Sequence, residues 1–325
     1  MRGLMVSLES PEIQNLLSEV EQRIVENLKK GNEFLNGSVD YLFSSRGKML
    51  RPLLLLIGSE AGKKRDRGEI LNLAAAIETL HVATLIHDDV IDESEMRRGI
   101  QSIQSKYSKD YAVYMGDFLL SRAFLILSEL DIPRELTLSL AKAVSRICTG
   151  EIRQYSNRYN LNITPMEYLK IVSGKTAALF SMGLSSGAYI CDADEEVVRK
   201  LGHIGYRLGL AFQLQDDLLD YMGDKELVGK EVRVDLLRGY YGLPVIHSLN
   251  GPCGKEIRDL LSDGVEEEDI DRVISLIIEG GSIEFTRDLV LRYRDKTGDM
   301  IKGLPDSPAK TLLYELLPRF FSRVN

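Results

Sequence analysis

The chain has 325 residues, 44% of them hydrophobic, and a formal net charge of −8. That length allows one large domain or two ordinary ones, and the acidic balance argues against a nucleic-acid binder, whose binding domain is usually basic. The three cysteines, Cys148, Cys191 and Cys253, give no disulfide framework or CxxC metal site. No apolar run approaches the ~20 residues of a membrane span, so no transmembrane segment is expected. Residues 1–11 lack a secretion signal, and a cytoplasmic protein is the expectation.

Helical periodicity runs through nearly every long segment. The charged stretch 63–68 reads as a loop. Residues 69–92, almost all Leu, Ile, Ala and Val, read as a core helix of roughly 36 Å at about 1.5 Å per residue. Residues 114–130 and 136–159 follow as helices. Thr164-Pro165-Met166-Glu167 has the form of a helix start, with Thr164 as N-cap, Pro165 first and Glu167 third. One helix is expected over 165–191. Residues 201–221 read as a second core helix, 266–279 as another, and 311–325 as an amphipathic segment with a basic end. Strand alternation and hairpin dipeptides are scarce, and no linker divides the chain. The expectation is a single all-α domain over 1–325.

Two near-copies of one acidic pattern end the two core helices. One is Asp88-Asp89-x-x-Asp92 and the other Asp216-Asp217-x-x-Asp220. Carboxylates at the end of a buried helix are costly unless something positive meets them. Positions four apart share a helix face, so Asp88 and Asp92 point one way with Asp89 beside them. Gln213, Asp216, Asp217 and Asp220 form one polar stripe by the same rule. A single cluster of this kind can be a solvated helix end. Two matched clusters point to a divalent metal, since Mg²⁺ takes carboxylate oxygens and usually arrives with a substrate phosphate. Their separation, 216 − 88 = 128 residues, is too long for a solenoid period and suits two helices facing each other across a cavity.

Basic groups accompany the acids: Arg46-Gly47-Lys48-Met49-Leu50-Arg51-Pro52, Arg97-Arg98-Gly99, Lys175-Thr176 and Lys230. Arg suits forked phosphate contacts and Lys point-charge contacts. Taken singly, each is an ordinary surface charge. Lys175 is the exception, because Ala177, Ala178, Leu179 and Phe180 beside it imply burial. His81 lies two helical turns before Asp88 on the same face.

With Gly116-Asp117-Phe118-Leu119, Gly150-Glu151, Phe212-Gln213, Gly229-Lys230 and Leu243-Pro244, these motifs make the chain resemble the all-trans isoprenyl (polyprenyl) diphosphate synthases over roughly residues 46–244. It is most like long-chain members such as the heptaprenyl diphosphate synthase large component. The resemblance implies an isoprenoid-synthase-type assembly of antiparallel helices around a deep central cavity, usually as a homodimer. It implies a prenyltransferase that condenses an allylic diphosphate with isopentenyl diphosphate in repeated Mg²⁺-dependent C5 additions. By position, Asp88, Asp89, Asp92, Asp216, Asp217 and Asp220 hold or orient Mg²⁺, three ions with the allylic diphosphate bound. Arg97, Lys175 and Lys230 contact the allylic diphosphate. Lys48, Arg51, His81 and Arg98 form the isopentenyl diphosphate site. Thr176 and Gln213 turn oxygen dipoles toward the developing cation and, with Lys175, make up the catalytic set.

Ala83 and Thr84, about one turn before Asp88, are small and leave the chain-length floor open there. Ile77 and Leu80 continue an apolar channel, and Phe118 and Phe124 are the candidate floor. The resemblance therefore implies a long-chain product of about six to nine isoprene units, by family analogy. Two positions depart from the family pattern. Arg46 stands where a second glycine is usual, and Tyr240 cannot replace the cation usual at its position. The alternatives are a short-chain farnesyl or geranylgeranyl diphosphate synthase, a catalytic subunit active only with a small partner, a class I terpene cyclase, and an inactive regulatory subunit. A one-substrate cyclase would not need Lys48 and Arg51, and a regulatory subunit typically loses aspartates that this chain keeps.

Overall fold

The computed structural model describes residues 7–8, 10–45, 47–63, 66–222, 230–262 and 264–322, apart from the side chains of residues 222 and 230–232. The elements run α1 (Pro11–Lys29), α2 (Asn36–Ser44), α3 (Leu50–Ser59), α4 (Arg67–Ile91), β1 (Met96–Arg97), β2 (Ile100–Gln101), α5 (Ile103–Lys106) and α6 (Lys109–Ser128). They continue with α7 (Arg134–Ser156), α8 (Pro165–Val172), α9 (Ala178–Ile190), α10 (Glu195–Met222), α11 (Lys230–Leu237) and α12 (Leu243–Ser248). The last four are α13 (Gly254–Leu261), α14 (Ile270–Glu279), α15 (Ser282–Lys302) and α16 (Pro308–Phe320). The fold is all-α. Among the described residues, the two short strands, paired antiparallel, are the only sheet.

Contacts divide the chain into two compact units, each assembled from three stretches. The first holds Met1–Leu140, Met182–Gly202 and Pro305–Leu312; the second holds Ala141–Ser181, His203–Leu304 and Leu313–Asn325.

The first unit is built on α4. Its start is fixed by Asp66, whose side chain accepts a hydrogen bond from Glu69 N–H, an N-cap that satisfies one orphan amide. Ala, Leu and Ile on most sides leave α4 only one way to satisfy its surface, which is to be covered. Helices α1, α3 and α6 pack against it. Helix α1 contributes Ile13, Leu16, Val20, Ile24 and Leu28, all buried and spaced by three or four, an amphipathic stripe. By length and composition alone, α4 and α6 are each apolar enough to cross a membrane, which the sequence reading did not anticipate. In α4, 72% of the most apolar window is buried inside the protein, and the helix carries Glu78, Asp88 and Asp89, as a core helix with a functional end does.

Helix α6 gives one correction. Ala112, Met115, Leu119, Ala123 and Ile126 are its buried positions, and the register turns Val113, Tyr114, Phe124 and Leu125 outward. Phe124 is 44% exposed, so it closes no channel within this chain; Phe118 is half-buried.

In the second unit, Thr164 caps α8 as the sequence implied, its Oγ1 accepting from Glu167 N–H at 3.2 Å. The single helix expected over 165–191 is instead interrupted by a π-helical turn, Ser173–Ala177, between α8 and α9. The widened turn coincides with a close backbone approach: a Cβ on Gly174 would stand 2.5 Å from Arg146 O of α7. Phe180, Phe212, Phe320 and Phe321 form an aromatic cluster with ring centres 5.3–6.3 Å apart.

Candidate active site

The first acidic cluster is not uniform. On α4, His81, Thr84, Leu85, His87, Asp88 and Val90 are partly open, as is Asp92 just beyond the helix, and Ile91 is exposed, whereas Val82, Ala83, Ile86 and Asp89 are buried. His81, Thr84, Leu85, Asp88 and Asp92 fall at steps of three and four and form one partly open stripe. Asp89 lies off that stripe and is 4% exposed. Its Oδ1 accepts from Arg97 Nε at 2.8 Å and from Arg97 Nη2, the forked pairing that guanidinium favours. Burial raises the pKa of Asp89, and the Arg97 bond and charge oppose the rise. Thus Asp88 and Asp92 stay partly open, and Asp89 fixes the β1–β2 hairpin to the end of α4. Ala83, 1% exposed, is packed, and the open small residue is Thr84, whose hydroxyl donates to His81 O at 2.8 Å.

The cationic motif converges on this unit. Gly47 lies so close to Arg98 that a Cβ would meet its guanidinium at 2.6 Å, and Ser45 Oγ donates to Arg98 O at 3.0 Å. Met49, between Lys48 and Arg51, has φ +49, and Arg98 has φ +51. Left-handed non-glycine residues are uncommon and strained, and such strain gathers at functional sites. Lys48 is exposed and Arg51 half-buried. A cavity of about 710 Å³, its solvent-open mouth included, joins apolar walls such as Phe43 and Val82 to Glu78, Asp89, Arg97 and Arg98. Arg46 lies outside the described residues.

Glu78 is a residue that sequence reasoning missed. It is 3% exposed, and its Oε2 has no hydrogen-bond partner among the described residues. Burial raises its pKa, against the pull of Arg51 and Arg98. Its only sequence signal was an acid inside an otherwise apolar run.

His81 sits one turn further on. Although the residue is partly open at the surface, the protein packed around its ring desolvates it, and this first, then the positive charges of Arg51, Arg98 and Arg97, hold it well below the ordinary imidazole range. The folded protein therefore keeps His81 neutral while the unfolded chain protonates near the usual value of about 6.5. The contribution is present above that value and is lost as pH falls through it, because only the unfolded state takes up the proton. The expected result is that His81→Gln flattens the dependence of melting temperature on pH between roughly 5 and 7. An unchanged slope would show that His81 does not titrate this way.

The second unit carries the other cluster. Asp216, Asp217 and Asp220 are partly open on α10, as is Gln213, and Leu214, Gln215 and Leu218 are buried, which is the stripe the spacing implied. Again the middle acid is engaged. Asp217 Oδ2 accepts from Tyr168 O–H and from Leu243 N–H at 2.9 Å. Burial raises its pKa and these bonds counter it. Tyr168, 49 residues away, gave no sequence signal. Tyr168 is itself pushed well above the ordinary phenol range, by burial and then by the charge of Asp217.

Lys175 lies in the π turn, half-buried rather than enclosed. Its Nζ donates to Glu151 Oε2 at 3.1 Å and to Gln154 Oε1 at 3.0 Å. The next residue, Thr176, donates from Oγ1 to Gln213 Oε1 at 3.1 Å. The turn thus carries two of the three expected catalytic groups side by side, Lys175 bonded to α7 and Thr176 bonded to the third, Gln213 of the α10 stripe. The side chain of Lys230 lies outside the described residues.

Among the described residues, no three carboxylate, imidazole or thiol groups converge on one metal position. Each cluster instead offers hard oxygen donors at i and i+4, Asp88 with Asp92 and Asp216 with Asp220. That fits Mg²⁺, which binds through one or two carboxylates and completes its shell with substrate phosphate and water.

The Polyprenyl synthetase family model matches residues 32–277. Heptaprenyl diphosphate synthase component 2 of Geobacillus stearothermophilus is 33% identical over 300 residues, 92% of this chain and 93% of that protein. Among solved structures, geranylgeranyl pyrophosphate synthase from Lactobacillus brevis ATCC 367 superposes with TM-score 0.91 at 33% identity, covering 96% of this chain and 97% of that one. Heptaprenyl diphosphate synthase from Staphylococcus aureus gives TM-score 0.90 at 32% identity, covering 96% and 99%.

Proposed function

Because the chain belongs to the polyprenyl synthetase family, and so is a trans-prenyltransferase, we propose that it makes a long-chain all-trans polyprenyl diphosphate. It does so by repeated Mg²⁺-dependent addition of isopentenyl diphosphate to an allylic diphosphate. The observation that supports this reading is shared by both clusters: the middle aspartate, Asp89 or Asp217, is bonded to the scaffold, and the aspartates on either side of it are partly open.

Asp88, Asp92, Asp216 and Asp220 hold the metal, and Asp89 and Asp217 orient the helix ends that bear them. When bound, Mg²⁺ neutralises the charge that develops on the leaving diphosphate. Arg97, engaged with Asp89 through Nε and Nη2, keeps Nη1 for the allylic diphosphate, joined by Lys175 and Lys230. Lys48, Arg51, His81 and Arg98 bind isopentenyl diphosphate. Thr176 and Gln213 face the allylic cation with oxygen dipoles, and apolar walls keep water from quenching it. The whole of 1–325 acts as one catalytic domain in the cytoplasm.

Small Thr84 on the open stripe supports a long product, as do relatives named heptaprenyl diphosphate synthase. An equally similar protein named geranylgeranyl pyrophosphate synthase favours the short-chain reading instead. The outward apolar face of α6, with Tyr114 73% and Leu125 50% exposed, supports a homodimer. The name component 2 supports a second reading in which a small partner subunit is required.

Two tests address the reaction. Excess chelator abolishes transfer, and added Mg²⁺ or Mn²⁺ restores it, because the donors are hard oxygens; full activity in chelator would exclude the scheme. Arg51→Ala raises KM for isopentenyl diphosphate by about ten- to a hundred-fold, on the scale of a lost charged hydrogen bond of about 1.5–3 kcal/mol. KM for the allylic partner changes little. Steady-state kinetics with each substrate varied in turn would show whether the two sites are correctly assigned.

A further inference from the structure

The loop between α11 and α12 is fastened to the end of α7 by one guanidinium. Arg158 Nε donates to Arg238 O at 2.8 Å. Its guanidinium carbon stands 5.2 Å from the ring centre of Tyr240, 5.3 Å from that of Tyr159 and 5.4 Å from that of Tyr155. Tyr159 adds two bonds to the same loop, from its hydroxyl to Leu237 O at 3.0 Å and from its N–H to Gly239 O at 2.9 Å. The loop runs on to Leu243, whose N–H holds Asp217. Tyr240 and Gly242 line a cavity of about 300 Å³ with Asp217 and Asp220.

This attachment answers a physical need. Asp216, Asp217 and Asp220 crowd the last turns of α10, where the helix dipole is unfavourable to negative charge. An anchor from outside the helix is needed to keep them in place. Tyr240 supplies no charge of its own, but its ring faces the Arg158 guanidinium, an arrangement in which the ring attracts the cation.

We propose that Arg158 is a positioning residue for metal–diphosphate binding at the second aspartate cluster. It clamps residues 237–243 so that the Leu243 amide fixes Asp217 and leaves Asp216 and Asp220 turned to the ion. This rests on the prenyltransferase reading above. Arg158 touches no reacting group in this account and acts only through the loop.

The test compares the full-length protein with Arg158→Met, which keeps a long apolar side chain without the guanidinium. Amide exchange at Leu243 reads the clamp, and a Mn²⁺ titration followed by electron paramagnetic resonance, with inorganic pyrophosphate present, reads the ion site. The expected result is faster exchange at Leu243 and about ten-fold weaker Mn²⁺–pyrophosphate binding, the scale of losing an outer-shell support. The Mg²⁺ concentration for half-maximal rate rises in step, while kcat at saturating Mg²⁺ is retained. Arg158→Lys, which keeps the charge over the rings but not the Nε bond, falls between. Faster exchange with unchanged Mn²⁺ binding would make the clamp purely structural and overturn the proposal. Loss of kcat at saturating Mg²⁺ with unchanged Mn²⁺ binding would overturn it too, by assigning Arg158 to the substrate. If Arg158→Met does not fold, Tyr159→Phe, which removes the hydroxyl that bonds Leu237 O at 3.0 Å and accepts from Arg158 Nη2 at 3.4 Å, must shift both readouts the same way or the proposal falls. Wild-type protein that binds no Mn²⁺–pyrophosphate would instead defeat the functional reading, and exchange at Leu243 would still decide the clamp.

Discussion

Asp88→Ala and Asp216→Ala each lower turnover by about two to three orders of magnitude, the scale of removing one contact that stabilises developing charge, with the helical fold intact. Both residues are partly open rather than buried. Asp89→Ala behaves differently. It strands the Arg97 guanidinium and frees the hairpin, so the melting temperature falls as well as the rate. Arg97 is 39% exposed, so water screens part of the loss, and the stability cost is about 1–2 kcal/mol. Measuring kcat and thermal unfolding on the three variants separates metal ligand from scaffold. If Asp89→Ala matched Asp88→Ala in both readouts, the division of labour within the cluster would be wrong.

The second large effect is on product length. Under the proposed reading, a growing chain passes along the partly open stripe of α4 below Asp88, and Thr84 is the small residue on it. Thr84→Phe puts a ring into that path and shortens the product sharply while turnover persists. Ala83→Phe, one residue away, turns its ring into a packed interior where Ala83 is only 1% exposed. Overpacking of that kind costs about 1–3 kcal/mol, so its main effect is on stability. Chain-length analysis of both products, beside their melting temperatures, checks the distinction. The same product from Thr84→Phe and wild type would mean that the channel does not follow this face.

These two positions show what the sequence could and could not convey. Helix α4 was legible because its apolar residues continue around most of its circumference, and the DDxxD spacing marked where it ends. That same uniformity hid which face stays uncovered, since Ala83 and Thr84 differ by only one helical step of rotation. The acidic stripe of α10 was legible from spacing alone. The bonds that hold Asp217 were not, because Tyr168 and Leu243 lie 49 and 26 residues from it and no local pattern links them. The π turn at Ser173–Ala177 has no local signal, because its sequence is compatible with plain helix and the interruption coincides with the close approach of the α7 backbone. Lys175 was expected to be enclosed by its apolar neighbours. It is instead half-exposed and paired with Glu151, since the turn rotates it out of the apolar register.

The most direct measurement is product length from the purified chain alone, given Mg²⁺, isopentenyl diphosphate and a farnesyl diphosphate primer, read by mass spectrometry. The account predicts repeated C5 additions ending at about six to nine units, by analogy with the long-chain members, all lost when Mg²⁺ is chelated. No extension without a second protein, or a product that ends at geranylgeranyl diphosphate, would contradict it.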